Sequence, residues 1–160
     1  MRRFFRIVQA HWVATAMDGE GARRFGGRWN EVGVPAVYLA ESRALAALEI
    51  LVHAPREALA LEWRIIEVQV PADLIENQLV SKLPAGWRDQ PSSLAAQRHG
   101  SRWIRDYGKL GLLLPSVIIP EEGVLLLNSR HPDMRGLKVS KPRAFDFDPR
   151  LPGAAAKMGA

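Results

Sequence analysis

Glu49 is the residue hardest to place without chemistry. It lies within Arg43–His53, RALAALEILVH, where nearly every other position is apolar. At helical spacing its neighbours are Leu45, Ala46, Val52 and His53. A carboxylate in such company needs a cation, hydrogen bonds or a polar cleft. A structural ion pair or a partly exposed helix edge would satisfy it. So would a site where the carboxylate faces developing positive charge. The natural cation is Arg28, in the run Gly26-Gly27-Arg28-Trp29-Asn30. Glycine permits close backbone approach and unusual dihedrals. Arginine offers a planar fork of donors that matches phosphate or carboxylate. GGR is a short string and not a Walker or dinucleotide-binding loop. An ordinary loop with a solvated arginine fits the same residues.

Other side chains could join them. Tyr38 lies in the apolar run Ala36–Ala40 and reads either as a core aromatic or as a ring that stacks on a flat ligand. Ser116 sits inside Leu112–Pro120, LLLPSVIIP, with no GxSxG elbow around it, which argues against a hydrolase nucleophile. Asn128 and Ser129 close an apolar run and read as a turn. His53 follows Glu49 by one turn, near a helix C-terminus where a histidine more often caps or packs.

Composition removes several classes of chemistry. The 160 residues contain no cysteine, so disulfides, thiolate metal sites and cysteine nucleophiles are absent. That usage fits a reducing cytoplasm. His11, His53, His99 and His131 are scattered without metal-ligand spacing. The formal charge of +5 could attract an anionic cofactor, an acidic protein or nucleic acid. No zinc-finger, zipper or RNA-binding signature accompanies it. No run is long enough to span a membrane, and Gln9 and His11 interrupt the basic, apolar N-terminus before it could act as a signal peptide.

The elements that must hold these side chains follow from pattern. Phe4–Val8, Ala36–Ala40, Glu62–Val70, Leu112–Ile119 and Val124–Leu127 read as strands. Leu137–Val139 and Arg143–Phe147 are candidate late strands. Ser42 caps a helix over 43–54 that stops before Pro55 and is expected to be buried on most sides. Ser92 or Ser93 starts a second helix running to about Tyr107. Residues 18–35 and 71–91 are expected to be loops, and Pro120–Gly123 a hairpin turn. No repeat, linker or β-α-β alternation is visible. This predicts one α+β domain over residues 1–152, with a mixed or mostly antiparallel sheet and flanking helices. A small-residue tail, 153–160, is expected to fray.

Taken in order, these pieces resemble the RES family, the toxin half of a bacterial toxin–antitoxin pair. The resemblance starts at FFRIV, passes through GGRWNEVGVPAVYLAESRALAALEILVH and continues to LPSVIIPEEGVLLLNSRHPD and AFDFDPRL. The block from Gly26 to His53 is its specific part. Two positions depart from the family pattern: Gly123 stands where asparagine is usual, and Ser129 where proline is. The resemblance implies a fold related to ADP-ribosyltransferase toxins and degradation of NAD at its nicotinamide–ribose bond, by hydrolysis or phosphorolysis. It implies Arg28, Tyr38 and Glu49 as pocket residues. Ser116 is favoured as the family serine over Ser42 and Ser129. Arg28, Glu49 and Ser116 would then serve the chemistry, and Arg28, Tyr38 and Asn128 would bind NAD. NAD is the substrate and no resident cofactor or metal is implied. The implied partner is a helix-turn-helix antitoxin of Xre type, with DNA reached only through it. Two other readings stay open on the residues: a protein ADP-ribosyltransferase on the same fold, and a non-enzymatic module in which Arg28 and Glu49 form a structural ion pair.

Overall fold

A computed structural model describes residues 1–154. Its frame is one eight-stranded sheet in the order β4-β5-β6-β2-β1-β3-β7, with β8 also on β3. The strands are β1 (Arg2–Gln9), β2 (Val37–Ala40), β3 (Trp63–Val70), β4 (Ile75–Asn77), β5 (Gly111–Pro115), β6 (Gly123–Leu127), β7 (Lys138–Val139) and β8 (Arg143–Phe145). The helices are α1 (Glu20–Phe25), α2 (Arg43–His53) and α3 (Leu94–Asp106). Only β4 and β5 run parallel, so the sheet is mixed and mostly antiparallel, as expected.

β1 is rich in aromatic and β-branched residues and pairs along its whole length with β3, from Arg2 opposite Val70 to Gln9 opposite Trp63. Alternation then sorts its side chains. Phe4 and Val8 join Val37, Leu39, Val68, Leu125 and Leu127 on one face, closed by the turn around Ala16. Phe5 and Ile7 join Ala40, Leu45 and Ala46 on the other, beneath α2. Trp29, Ala36, Leu112, Leu114 and Leu126 meet Ala96 and Ile104 of α3 in a third cluster. Ala40 pairs with Val124 across β2 and β6, and Leu126, two residues on, shares their face, so α2 and α3 lie on the same side of the sheet.

Several expectations are corrected. Residues 18–35 are not all loop, because Glu20–Phe25 closes a short helix ended by Gly26 at φ +71°. Residues 71–91 contain β4, a strand of three residues among prolines. The strand expected over Leu112–Ile119 stops at Pro115, because Ser116 Oγ accepts from the backbone N–H groups of Ile118 and Ile119 and turns the chain. α2 is not buried on most sides: only Leu45 and Ala46 are fully buried, and Val52 is 56% exposed. Its apolar composition marks a helix lying on a sheet with one flank bordering a cleft. Gly153 and Ala154 belong to the segment expected to fray, yet Ala154 packs with Leu59, Trp63 and Phe147. The remainder of that tail, residues 155–160, lies outside the described residues. Among the described residues no helix is long and apolar enough to cross a membrane.

Ser42 caps α2 as expected. Its Oγ accepts from Leu45 N at 3.0 Å and donates to Glu122 Oε2 at 2.8 Å. Ser42→Ala should cost about 1 kcal/mol, read as a lower midpoint in urea unfolding, since the cap and the tie to the 116–122 loop are lost together.

Candidate functional site

Tyr38 marks the seam. It packs against both the α2 cluster and the α3 cluster, and its ring is half-buried where they meet. Its strand is fixed from both sides of the sheet. β2 pairs β6 with Tyr38 opposite Leu126, while Arg6 of β1 donates to the Tyr38 carbonyl at 2.9 Å. The candidate site is therefore the seam between the two helix-covered clusters, over the middle of β2.

One wall is an arch, Gly27–Glu31, leaning on α3. Gln97 Nε2 donates to the Gly27 carbonyl at 3.1 Å, and Ser101 Oγ accepts from Glu31 N at 2.8 Å. Between them on the same helix face, Gly100 meets the Trp29 backbone so closely that a Cβ would lie 1.9 Å from the Trp29 carbonyl oxygen. At the other end a Cβ on Gly27 would lie 2.7 Å from the Tyr38 hydroxyl oxygen, so only glycine fits there as well. Asn30 is fully buried, donates from Nδ2 to the carbonyls of Ala22, Glu31 and Val34, and accepts the Tyr38 hydroxyl at Oδ1.

Arg28 projects from this arch, and its terminal nitrogens are occupied. NH1 donates to the carbonyls of Asp89 at 2.5 Å and Trp87 at 3.5 Å. NH2 donates to Gln90 Oε1 at 3.3 Å and the Pro91 carbonyl at 3.4 Å. Arg28 thus gathers the 87–91 loop, which also stacks Trp87 on Trp29 with centroids 5.9 Å apart. Burial lowers the Arg28 pKa, and the negative charge of Glu49 acts in the opposite direction. Among the described residues the two form no ion pair: Arg28 is taken by the 87–91 loop, although Glu49 lies near enough for its charge to favour the guanidinium cation.

Glu49 stands on the flank of α2 that borders the cleft. Its side chain is 32% exposed, and Oε1 accepts from Ser116 Oγ at 3.1 Å. The Ser116 oxygen already accepts from two backbone N–H groups, so its single proton points at Glu49. Oε2 lies 4.0 Å from His53 Nε2, whose side chain is 76% exposed. Burial raises the Glu49 pKa, opposed by the Ser116 hydrogen bond, His53 and Arg28. Ser116 is held in turn by the loop after β5: Ser116 N donates to the Glu122 carbonyl at 2.9 Å, and Glu122 is tied to Ser42. At Gly123 a Cβ would lie 2.7 Å from Glu41 Oε2, which accepts the Gly123 amide, so a larger residue there would have to displace the Glu41 and Leu113 side chains.

Ser116 and Glu49 are thus bonded to one another, and Arg28 lies near enough to both Glu49 and Tyr38 for their charges to interact. Asn128 is not among them. It is buried at the far end of β6, beneath α3, where its side chain meets the Ile104 carbonyl and Arg130 N. Since Asn128 N bonds Leu110, the strand rise puts it about 20 Å from Ser116. Ser42 is a helix cap, and Ser129 Oγ is buried against Gly19 with no hydrogen-bond partner. Of the three serines, Ser116 is the one bonded to Glu49. Asn30 and the face Gln97, Gly100, Ser101 were not singled out by sequence. The small and polar residues at helical spacing within α3 were the available signal. Among the described residues no cluster of three or more His, Asp or Glu could hold a metal ion. A carboxylate bonded by a hydroxyl, an arginine across a gap and a half-buried ring between them suit a ligand with a cationic centre, an anionic part and a flat group.

The chain also has relatives among known proteins. A sequence model described as the RES domain matches residues 3–148. The chain is 43% identical over 153 residues to a Prs ADP-ribosylating toxin of Sphingobium sp. (strain YBL2), covering 92% of this chain and 95% of that one. It is 37% identical over 148 residues to a Toxin Res of Yersinia enterocolitica, covering 92% and 97%. Over 47 residues it is 49% identical to the NAD(+) phosphorylase MbcT of Mycobacterium tuberculosis, 29% of this chain and 24% of that one. The solved MbcT–MbcA toxin–antitoxin complex of M. tuberculosis contains a chain of like fold, with TM-score 0.69 at 24% identity over 91% of this chain and 84% of that one.

Proposed function

The chain belongs to the RES family, and from that premise we propose that it is the toxin of a toxin–antitoxin pair and cleaves the nicotinamide–ribose bond of NAD. The observation that carries the reading is Glu49: a half-buried carboxylate held by Ser116, with the charge of Arg28 nearby. Nicotinamide leaves C1 of the ribose with the electron pair of the C–N bond and becomes neutral, so no general acid is needed. Positive charge develops on the ribose, as in glycoside cleavage. Glu49 stabilises that charge or holds the ribose hydroxyls. Ser116 fixes the carboxylate through Oε1, while Oε2 lies 4.0 Å from His53 Nε2. Tyr38 presents its ring for stacking. Arg28 makes the opposite wall attractive to the diphosphate.

Water or phosphate then bonds C1 and gives up a proton. A protein nucleophile is the second reading, because one relative matched over nearly the whole chain is named an ADP-ribosylating toxin. Purified protein incubated with NAD, with and without phosphate and with cell protein, separates these outcomes. Free ADP-ribose, ADP-ribose 1-phosphate or labelled protein identifies the acceptor. No nicotinamide release under any of these conditions would refute the proposal. The partner that restrains such an activity is proposed to be a helix-turn-helix antitoxin, which carries any contact with DNA. The net positive charge suits an acidic segment of that partner. NAD enters as substrate, with no resident cofactor, and the cytoplasm is the proposed location because both NAD and the antitoxin's DNA are there.

A pH profile gives a further check. Glu49 must be ionised to stabilise a cation, and burial raises its pKa. Nicotinamide release should therefore rise with pH along an acid limb centred above 4.5, the value of an unperturbed glutamate. A limb at or below that value would mean that another group controls the rate.

A further inference from the structure

Asn30 lies in no role assigned so far, yet it joins the two walls of the cleft. We infer that Asn30 is a positioning residue for the proposed reaction: by holding the Tyr38 hydroxyl it sets the Tyr38 ring and the Arg28 arch in one fixed arrangement. This rests on the NAD-cleaving reading for its kinetic consequence, but the clamp itself is a property of the free protein.

The hydrogen bonds close on themselves. The Tyr38 hydroxyl donates to Asn30 Oδ1 at 2.5 Å and accepts from Trp29 N at 3.0 Å. Its one proton is used, so the phenol has none to offer a substrate, and burial further raises its pKa. What Tyr38 offers the cleft is its ring. On Asn30 the orientation of the amide is fixed by its partners. Nδ2 faces the carbonyl oxygens of Ala22 at 2.8 Å, Val34 at 2.9 Å and Glu31 at 3.2 Å, and only Oδ1 faces a donor. A flipped amide would set oxygen against all these carbonyls. Aspartate would do the same with a full charge in a site that is 0% exposed. Asparagine is thus the short side chain that can bind the carbonyls with one end and the phenol with the other.

The clamp reaches the chemistry through the main chain. Trp29 N bonds the same hydroxyl, and Arg28 immediately precedes it. The Gly27 N–H donates to the Asn30 carbonyl at 3.0 Å, which closes the arch behind Arg28. Moving Asn30 therefore moves the guanidinium and the ring together, relative to Glu49 on α2.

The test compares the parent with Tyr38→Phe, Asn30→Ala and the double variant, by nicotinamide release per folded molecule and by hydrogen exchange at the Trp29 amide. Tyr38→Phe keeps the ring and its packing. We expect it to fold, to lose protection at Trp29 and to lose about tenfold in kcat/KM, as a small misplacement of reacting groups does. Asn30→Ala should lose at least as much, and the double variant no more than Asn30→Ala, because both act through one hydroxyl. A role in folding alone would lower Tm while the folded fraction turned over at the parental rate, and that result would overturn the inference. Additive losses would overturn it too. Should Asn30→Ala not fold, Tyr38→Phe decides: parental kcat/KM together with a protected Trp29 amide refutes the clamp. Should the parent release no nicotinamide, the NAD reading fails by itself, and exchange at Trp29 in Tyr38→Phe still tests the clamp.

Discussion

Glu49→Gln is expected to lower nicotinamide release by roughly 100- to 1,000-fold while the protein stays folded and becomes no less stable. Glutamine keeps the shape and can still accept the Ser116 hydroxyl at its oxygen. What it lacks is the charge that opposes the developing cation. The stability side has a definite sign. Burial raises the Glu49 pKa, so the folded value lies above the unfolded one. Such a group contributes stability that is fully present below the unfolded pKa and is lost as pH rises through the folded pKa. At neutral pH the ionised carboxylate is therefore a cost to folding, and the neutral amide removes it. A melting temperature at or above the parent's at pH 7, joined to a large loss of turnover, is the signature of a residue kept for chemistry. Turnover at the parental rate would remove Glu49 from the mechanism. A lower melting temperature would mean that the ionised side chain is mainly a structural partner, as an ion-pair module requires.

That double signature separates what was legible in sequence from what was not. Strands β1, β2, β3 and β6 and the helix over Arg43–His53 follow from periodicity and from Ser42, since each local signal agrees with the final packing. Glu49 was legible because a charge in an apolar helix is conspicuous. The degree of burial of α2 was not, because hydropathy cannot tell a helix enclosed by sheet from one that borders a cleft. The fate of Arg28 was less legible still. Its acceptors are mostly backbone carbonyls at Trp87, Asp89 and Pro91, and a carbonyl has no sequence signature. The expected pairing of Arg28 with Glu49 is not formed: the guanidinium bonds the 87–91 loop, and Glu49 takes Ser116 as its partner. Asn128 shows the opposite failure. It lies in a resembling stretch and on the helix-bearing side of the sheet, but the five residues of β5 separate its end of the hairpin from Ser116. β4 and α1 escaped because three- and six-residue elements lack the length for a periodic signal.

Gly100→Ala tests whether α3 is what holds the arch. In a helix interior this substitution ordinarily favours folding by about 1 kcal/mol, since alanine is the best helix former. Here the added Cβ would stand 1.9 Å from the Trp29 carbonyl oxygen, 2.8 Å from its carbon and 2.9 Å from its Cβ. Two of those atoms are backbone and cannot rotate aside. The arch they belong to is pinned on either side of the contact by Gln97 to Gly27 and by Ser101 to Glu31. Either α3 withdraws and loses its packing through Ala96 and Ile104, or the arch shifts and breaks those hydrogen bonds. Overpacking of this kind costs typically about 1–3 kcal/mol, so it outweighs the propensity gain or at least cancels it. We expect Gly100→Ala to lower Tm by several degrees and to depress turnover in the protein that remains folded, because Arg28 rides on the displaced arch. Gly21→Ala is the control: it also lies in a helix, and nothing stands within 4 Å of its Cβ position. That variant should match or exceed the parent in Tm and keep its turnover. Equal behaviour of the two variants would show that the helix yields at no cost, and α3 would then be a passive cover rather than the support that sets where Arg28 stands against Glu49.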